Sequence, residues 1–118
     1  MSDTPETLQI TLEMVGQTTF VCPRGRLDFG TTPGFQHALE QAVNGGGTAP
    51  SAVIVDCREL SYLSSAGLRG FLVGARAAQD SDVHFGVCAL QTAPAEVFKA
   101  GGFDKIVAVY PDREAALA

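Results

Sequence analysis

Two adjacent serines, Ser64 and Ser65, are the residues whose type and position could support chemistry in this chain. They lie in the stretch L-S-Y-L-S-S-A-G-L-R-G-F-L, between an apolar run and a helical pattern. A serine hydroxyl there can cap the first turn of a helix, act as a nucleophile or accept a phosphate. The position favours the cap, and a capping hydroxyl can still be exposed to solvent.

Nucleophilic catalysis has little support elsewhere in the sequence. The G-x-S-x-G turn of many serine hydrolases is absent, and so is the phosphate-binding loop G-x-x-x-x-G-K-[ST]. Only His37 and His84 could serve as a base. The first falls in the middle of a predicted helix and the second within an apolar strand. An enzyme with Ser65 as its nucleophile is therefore disfavoured, because the sequence offers no evident base.

Candidate metal ligands are few. Asp56 and Glu59 could form a carboxylate pair, but no third ligand accompanies them. Cys22, Cys57 and Cys88 are widely spaced, without a C-x-x-C motif or a Cys/His cluster, which argues against zinc. Each cysteine lies in a strand-like apolar segment, where a buried, reduced thiol is expected. We expect neither a metal nor a cofactor.

Composition limits the class of protein. The 118 residues fit one domain, residues 1–118, and 46% hydrophobic with 18% charged residues is typical of a globular chain. A net charge of −5 and scattered basic residues argue against nucleic-acid binding. The start, M-S-D-T-P-E, is no signal peptide, and no apolar run approaches a membrane span. We expect a cytoplasmic protein without membrane insertion, and by default a monomer.

The elements that must position the serines alternate after an initial hairpin. Hydrophobic periodicity and turn residues predict the order β-β-α-β-α-β-α-β-α. The predicted strands cover residues 7–15, 18–23 (ending at Cys22-Pro23), 52–57, 83–90 and 106–110, and the predicted helices start at Thr31 or Thr32, Ala66, Thr92 and Arg113. This order predicts an α/β fold, with a mixed sheet, parallel crossovers and helices packed mainly on one face.

The serine pair thus falls at the start of the second helix, directly after a buried strand. The first N–H groups of a helix lack internal partners, and the helix dipole is positive there. A phosphate on a serine at this point would add roughly −1.5 to −2 charges without disturbing the fold. From the residues alone, a helix cap and a phosphorylation switch both stay open.

Longer stretches of the sequence resemble one known family. The segment V-I-V-D-C-R-E-L-S-Y-L-S-S-A-G-L-R-G-F-L resembles the central signature of STAS domains, specifically of the anti-sigma factor antagonists. The segments G-R-L-D-F-G-T-T-P-G-F, V-C-A-L-Q-T-A-P and F-K-A-G-G-F-D-K-I-V-A-V-Y-P resemble three further parts of that family. The resemblance spans nearly the whole chain and implies the STAS fold.

The resemblance assigns roles to particular residues. The family's phosphorylated serine falls on Ser65, and the aspartate of its D-S-S-G motif falls on Ser64, which makes Ser64 a rival acceptor. Ala66 and Gly67 take the last two motif positions, as in the common S-S-A-G variant. Asp28 matches an acidic residue before the first helix, or is simply a turn aspartate. The implied partner-binding residues are Asp28, Ser64, Ser65, Ala66, Gly67 and Arg69, the last of which lies one helical turn after Ser65.

The mechanism that the resemblance implies is partner switching. The unphosphorylated protein would bind an anti-sigma factor, a serine kinase of the histidine-kinase-like ATPase type, and so release a sigma factor. That kinase would phosphorylate Ser65 and end the complex, and a PP2C-type phosphatase would reset the cycle. The alternative is a constitutive STAS subunit of a lipid-transport ABC complex or another assembly, which needs no phosphorylation.

Overall fold

The computed structural model describes residues 8–118. The predictions made for the N-terminal stretch M-S-D-T-P-E, and for a first strand beginning at Thr7, lie outside the described residues. Within that range the strands are β1 (Gln9–Val15), β2 (Thr18–Leu27), β3 (Ala52–Asp56), β4 (Leu60–Leu63), β5 (His84–Cys88) and β6 (Ala108–Tyr110). The α-helices are α1 (Thr32–Asn44), α2 (Ser65–Asp80), α3 (Thr92–Ala100) and α4 (Arg113–Leu117).

The strands form one mixed sheet in the order β1-β2-β3-β5-β6. β1 and β2 are antiparallel and joined by the turn at Gly16, whereas the pairs β2–β3, β3–β5 and β5–β6 are parallel. Each parallel pair is connected through a helix, as short crossovers require. The predicted α/β fold, with an initial hairpin followed by parallel units, is confirmed.

The two faces of the sheet are covered unequally. One face carries the larger core, in which Val53, Val55 and Val87 pack with side chains of α1, α2 and α3. Phe71 of α2 lies at its centre, with its ring 4.9 Å from that of Phe35 and 5.1 Å from that of Phe98. The smaller core on the other face is built on Phe20, Ile54 and Cys88 and is covered in part by α4. The helices therefore lie mainly on one face, as predicted.

The predicted element order was wrong in one respect, because it omitted β4. This short strand pairs in parallel with the last residues of β2, Gly25–Leu27, which the sequence analysis placed beyond the end of that strand. The assumed end at Pro23 fails for a structural reason. β3 pairs with residues 18–21 of β2 and β4 with residues 25–27, so Pro23 falls between the two ladders. Its missing N–H therefore removes no hydrogen bond from those ladders.

Candidate functional site

Ser64 is the N-terminal cap of α2. Its hydroxyl oxygen accepts the backbone N–H of Gly67 at 3.1 Å. Its own backbone N–H donates to the carbonyl of Leu27 at 3.0 Å, and its carbonyl accepts the N–H of Leu68 at 3.0 Å. The residue is therefore fixed between the end of β2 and the first turn of the helix. Of the two serines, Ser64 makes the cap that the sequence predicted.

Ser65 is in a different situation, although it is the next residue. It is the first residue of α2, and it is exposed to solvent. Its hydroxyl takes part in none of the side-chain hydrogen bonds found among residues 8–118. A hydroxyl of this kind can be modified without breaking a contact that holds the described fold.

Gly67 positions the two serines but offers little surface of its own. A Cβ atom at this residue would lie 2.8 Å from the carbonyl oxygen of Leu27 and 2.9 Å from Cδ1 of Leu63. Glycine therefore lets the first turn of α2 approach β2 and β4 closely. Gly67 was expected to be one of the partner-binding residues. Because it is buried, it instead fixes the position of the helix start and does not offer a contact of its own.

Asp28 shapes the loop between β2 and α1. Its Oδ1 accepts the backbone N–H groups of Gly30 at 3.1 Å and Thr31 at 3.2 Å. Its backbone carbonyl accepts the hydroxyl of Thr32 at 2.6 Å. These are the bonds of a turn aspartate, one of the two roles that the sequence left open for this residue. The carboxylate stays half-buried at the rim of the serine-bearing surface.

The structure brings most of the predicted site residues together. A shallow surface depression, here called the Ser65 surface, is lined by Asp28, Phe29, Tyr62, Leu63, Ser64, Ser65, Ala66 and Val97. Arg69 lies in an adjoining depression that shares Phe29 and Ala66 with this surface. The β2–α1 loop, β4 and the start of α2 thus build one continuous face around Ser65.

Two aromatic residues of this surface, Phe29 and Tyr62, were not predicted from the sequence. Phe29 is 84% exposed, an unusual state for a large apolar side chain. Tyr62 is also exposed, and the guanidinium of Arg26 lies 4.1 Å from the centre of its ring. One signal could have revealed Phe29, since it stands among turn residues in D-F-G-T-T and outside any periodic apolar pattern.

The carboxylates of Asp56 and Glu59, the candidate metal pair of the sequence, are bound to cations of the protein itself. Oδ2 of the buried Asp56 accepts Nε of Arg113 at 2.7 Å, and its Oδ1 accepts the backbone N–H of Arg58 at 3.1 Å. Glu59 pairs instead with Arg24 at 3.3 Å. Across residues 8–118, no group of three or more metal-ligating side chains is close enough to hold an ion.

Arg113 is the centre of a polar cluster on the α4 face of the sheet. Besides Asp56, it pairs with Glu13, donates from Nη2 to Sγ of Cys22 at 3.2 Å, and lies 4.5 Å from the ring centre of Phe20. Burial lowers the pKa of Arg113, but the hydrogen bonds to Asp56 and Glu13 outweigh it and raise the pKa. We call Glu13, Cys22, Asp56 and Arg113 the Arg113 cluster.

The three cysteines are free thiols, as expected. Cys57 and Cys88 are buried, whereas Cys22 is half-buried. Burial raises the pKa of all three thiols, that of Cys88 from 9.0 to about 12. At neutral pH they are therefore protonated and poor nucleophiles.

None of the helices formed by residues 8–118 combines the length and the apolar composition needed to cross a bilayer.

Comparison with known proteins identifies the class of protein that this fold and site define. The sequence profile of the STAS domain matches residues 9–116, so the chain belongs to the STAS domain family. Its similarities within that family include BtrV of Bordetella bronchiseptica, a protein assigned as an anti-sigma factor antagonist. The two are 29% identical over 111 residues, which cover 94% of this chain and 93% of BtrV.

Solved structures share the fold. An anti-sigma factor antagonist from Mycobacterium paratuberculosis superposes with a TM-score of 0.85 at 24% identity, covering 98% of this chain and 96% of that protein. Phosphorylated SpoIIAA, a cell-fate determinant of Bacillus, gives 0.68 at 21% identity, over 92% of this chain and 96% of SpoIIAA. A part of the murine anion transporter Slc26a9 gives 0.74 at 14% identity, over 89% of this chain and 18% of the transporter.

Proposed function

We propose that this protein is an anti-sigma factor antagonist whose activity is switched at Ser65. In the unphosphorylated form it binds an anti-sigma factor through the Ser65 surface, and this binding releases a sigma factor. The anti-sigma factor, a serine kinase of the histidine-kinase-like ATPase type, transfers phosphate to Ser65. A PP2C-type phosphatase removes the phosphate. In this cycle the chain is a ligand and a substrate, not an enzyme.

One observation carries the choice of Ser65 over Ser64. The hydroxyl of Ser64 is engaged by the N–H of Gly67, whereas that of Ser65 is exposed and makes no bond to a described residue. A kinase that modified Ser64 would have to break the helix cap, at a cost of about 1 kcal/mol, before any chemistry began. Modification of Ser65 carries no such cost.

The composition of the Ser65 surface supports a protein partner. Exposed aromatic side chains are the residues that most often dominate binding energy at protein interfaces, and Phe29 and Tyr62 both border Ser65. Asp28 is the charged residue among those that line this surface. We infer that Phe29 is an anchor that enters a pocket of the anti-sigma factor, with Ser65 near the centre of the contact.

The same surface explains how a phosphate would end the complex. A phosphoserine at Ser65 adds roughly −1.5 to −2 charges beside Phe29 and near the carboxylate of Asp28. Burying that charge against a partner without a matching cation costs several kcal/mol, and about 1.4 kcal/mol already weakens binding tenfold. The cations near this surface are Arg69, in the adjoining depression, and Arg26, against the ring of Tyr62, and neither of them lines the surface together with Ser65.

The alternative is a constitutive STAS subunit of a lipid-transport ABC complex or another assembly. The fold also occurs as a part of a membrane transporter, Slc26a9. A constitutive subunit would bind its partner whatever the state of Ser65. A Ser65→Asp variant that binds the partner as tightly as the wild type would therefore favour this alternative.

The assignment of Ser65 is tested by phosphate transfer from the anti-sigma kinase and ATP, with the modified residue mapped by mass spectrometry. Ser65→Ala is expected to abolish labelling. Ser64→Asp is the matched control, because aspartate is also a good helix cap and keeps the helix stable while removing the hydroxyl. It should still be labelled. Labelling that survives in Ser65→Ala and disappears in Ser64→Asp would overturn the assignment.

A further inference from the structure

The structure leaves one long sheet edge open. Of the strands formed by residues 8–118, only β2 pairs with β1, so the outer edge of Gln9–Val15 has no hydrogen-bonding partner there. A two-residue turn joins β1 to β2, and in such hairpins the residues that flank the turn exchange hydrogen bonds. By alternation along the strand, the N–H and C=O groups of Ile10, Leu12 and Met14 point outward.

This edge lacks the features with which monomeric proteins usually protect their sheets. Such edges are short, carry lysine or proline, or are bent by a bulge. β6, at the opposite side of the sheet, spans three residues, whereas β1 spans seven with the sequence Q-I-T-L-E-M-V. Its one charged residue, Glu13, is paired with Arg113 of the same chain. The edge is therefore long, regular and free of uncompensated charge.

The apolar side chains of β1 are also unusually exposed. Leu12 is 51% and Met14 is 75% exposed, and both line a groove of about 530 Å³ between β1 and the turn that follows α1. The opposite wall of the groove includes Ala42, Gly45 and Pro50. An apolar groove beside an open strand is the arrangement in which an added strand gains hydrogen bonds and side-chain burial together.

We propose that this edge binds a second copy of the chain, by antiparallel pairing of β1 with β1 about a twofold axis at Leu12. In that register Leu12 faces Leu12 of the second copy, and Ile10 faces Met14 of the second copy. All three residues have outward-pointing backbone groups, so each facing pair exchanges two hydrogen bonds. The two sheets become one continuous sheet, and the outward-pointing N–H and C=O groups of β1 are hydrogen-bonded in both copies.

Charge and side-chain pattern favour a second copy over an unrelated strand. In the proposed register Glu13 faces Thr11 of the second copy, so like charges do not meet across the new ladder. Ile10, Leu12 and Met14 share one face, and the twofold axis places the same residues of the second copy beside them. Ile10 of the second copy then lies next to Met14, at the mouth of the groove. The sequence alone suggested a monomer, and the proposed pairing differs from that expectation.

The dimer would leave the proposed switch accessible. Neither Ser65 nor Phe29 belongs to β1 or lines the groove beside it. The proposal therefore does not rest on the phosphorylation of Ser65, and either can fail without the other. A symmetric dimer would present two Ser65 surfaces in one particle.

Sedimentation velocity of the full chain, from micromolar to high micromolar concentration, tests the proposal with a charge-swap design. The wild type is expected to form a dimer. Leu12→Lys and Leu12→Glu each place like charges opposite each other at the axis and should weaken self-association by at least about tenfold. An equimolar mixture of the two variants should restore a dimer of one copy of each. Ile106→Lys, at a 60% exposed apolar residue away from β1, is the matched control and should leave the dimer unchanged.

Several results would overturn this inference. They are a wild type that stays monomeric, a dimer that survives Leu12→Lys, and a mixture of the two variants that stays monomeric. If the wild type is monomeric and the Leu12→Lys substitution abolishes its binding to the anti-sigma factor, the edge would instead be assigned to that partner. Met14→Lys guards against a folding defect, because the exposed Met14 side chain is largely outside the core. The Met14→Lys variant should also weaken the dimer, while its far-ultraviolet circular dichroism spectrum stays the same as that of the wild type.

Discussion

The Ser65 surface and the Arg113 cluster both contain polar side chains beside strands of the sheet, yet they differ in how these polar groups are satisfied. In the Arg113 cluster the buried carboxylate of Asp56 meets a guanidinium at 2.7 Å and a backbone N–H at 3.1 Å. At the Ser65 surface one serine is used as a cap, and the next is left exposed beside an exposed phenylalanine. Polar groups that are satisfied within the fold stabilise it, whereas those left free are available to a partner.

The largest effect is expected from a substitution that breaks the Arg113 cluster. Asp56→Ala leaves Arg113 partly buried without its main carboxylate, and we expect a loss of about 2–3 kcal/mol in the free energy of unfolding. Urea denaturation measures this. Glu59→Ala, which removes an exposed ion pair with Arg24, is the matched control and should change stability by less than about 1 kcal/mol. Equal effects of the two variants would remove the distinction between a structural and a surface carboxylate.

The next largest effect concerns the Ser65 surface, where a substitution should weaken partner binding and leave the stability of the fold nearly unchanged. Phe29→Ala removes an 84% exposed side chain, so stability should change by no more than about 0.5 kcal/mol. Binding of the anti-sigma factor should weaken by about 2 kcal/mol, roughly thirtyfold, if Phe29 is an anchor. Isothermal calorimetry measures the affinity, with Ile106→Ala as a control for loss of an exposed apolar residue. An unchanged affinity of the Phe29 variant would rule out the anchor.

The smallest expected effect concerns the thiols near the two cores. Burial raises the pKa of Cys57 and of Cys88, the latter to about 12, above the ordinary value of 9.0. The folded chain therefore keeps protons that the unfolded chain releases, so the contribution of the two thiols is complete only well below pH 9, begins to decline as pH approaches 9.0 and continues to fall towards the folded pKa. We expect the free energy of unfolding to fall by about 1 kcal/mol between pH 8 and pH 9. A decline of the same size in a Cys57→Ala/Cys88→Ala variant would contradict this cause.

Much of the fold could be predicted because its signals are local. Pro33 at a helix start, the turn at Gly16 and the apolar run of β3 each fix an element through neighbouring residues. β4 could not be found in this way, since it is a short strand whose partner in β2 lies far away in the sequence. Pro23 was misleading for the same reason. It is tolerated because two separate ladders leave a gap at that residue.

The candidate site was predictable in its position but not in its division of roles. The resemblance to the STAS family was enough to predict that Ser64, Ser65, Asp28 and Arg69 lie near one another. The sequence could not show which serine hydroxyl the helix start would use, because both have the same chemistry and differ by one residue. Nor could it show that Phe29 is exposed, since exposure depends on how the β2–α1 loop leaves the sheet.

The central claim is that the phosphate on Ser65 controls binding of the anti-sigma factor. The most direct measurement is a calorimetric titration of the anti-sigma factor with unphosphorylated protein and with protein carrying one phosphate, confirmed by mass spectrometry to be on Ser65. We expect an affinity at least about a hundredfold weaker for the phosphorylated form, or about 3 kcal/mol. Equal affinities for the two forms would contradict it.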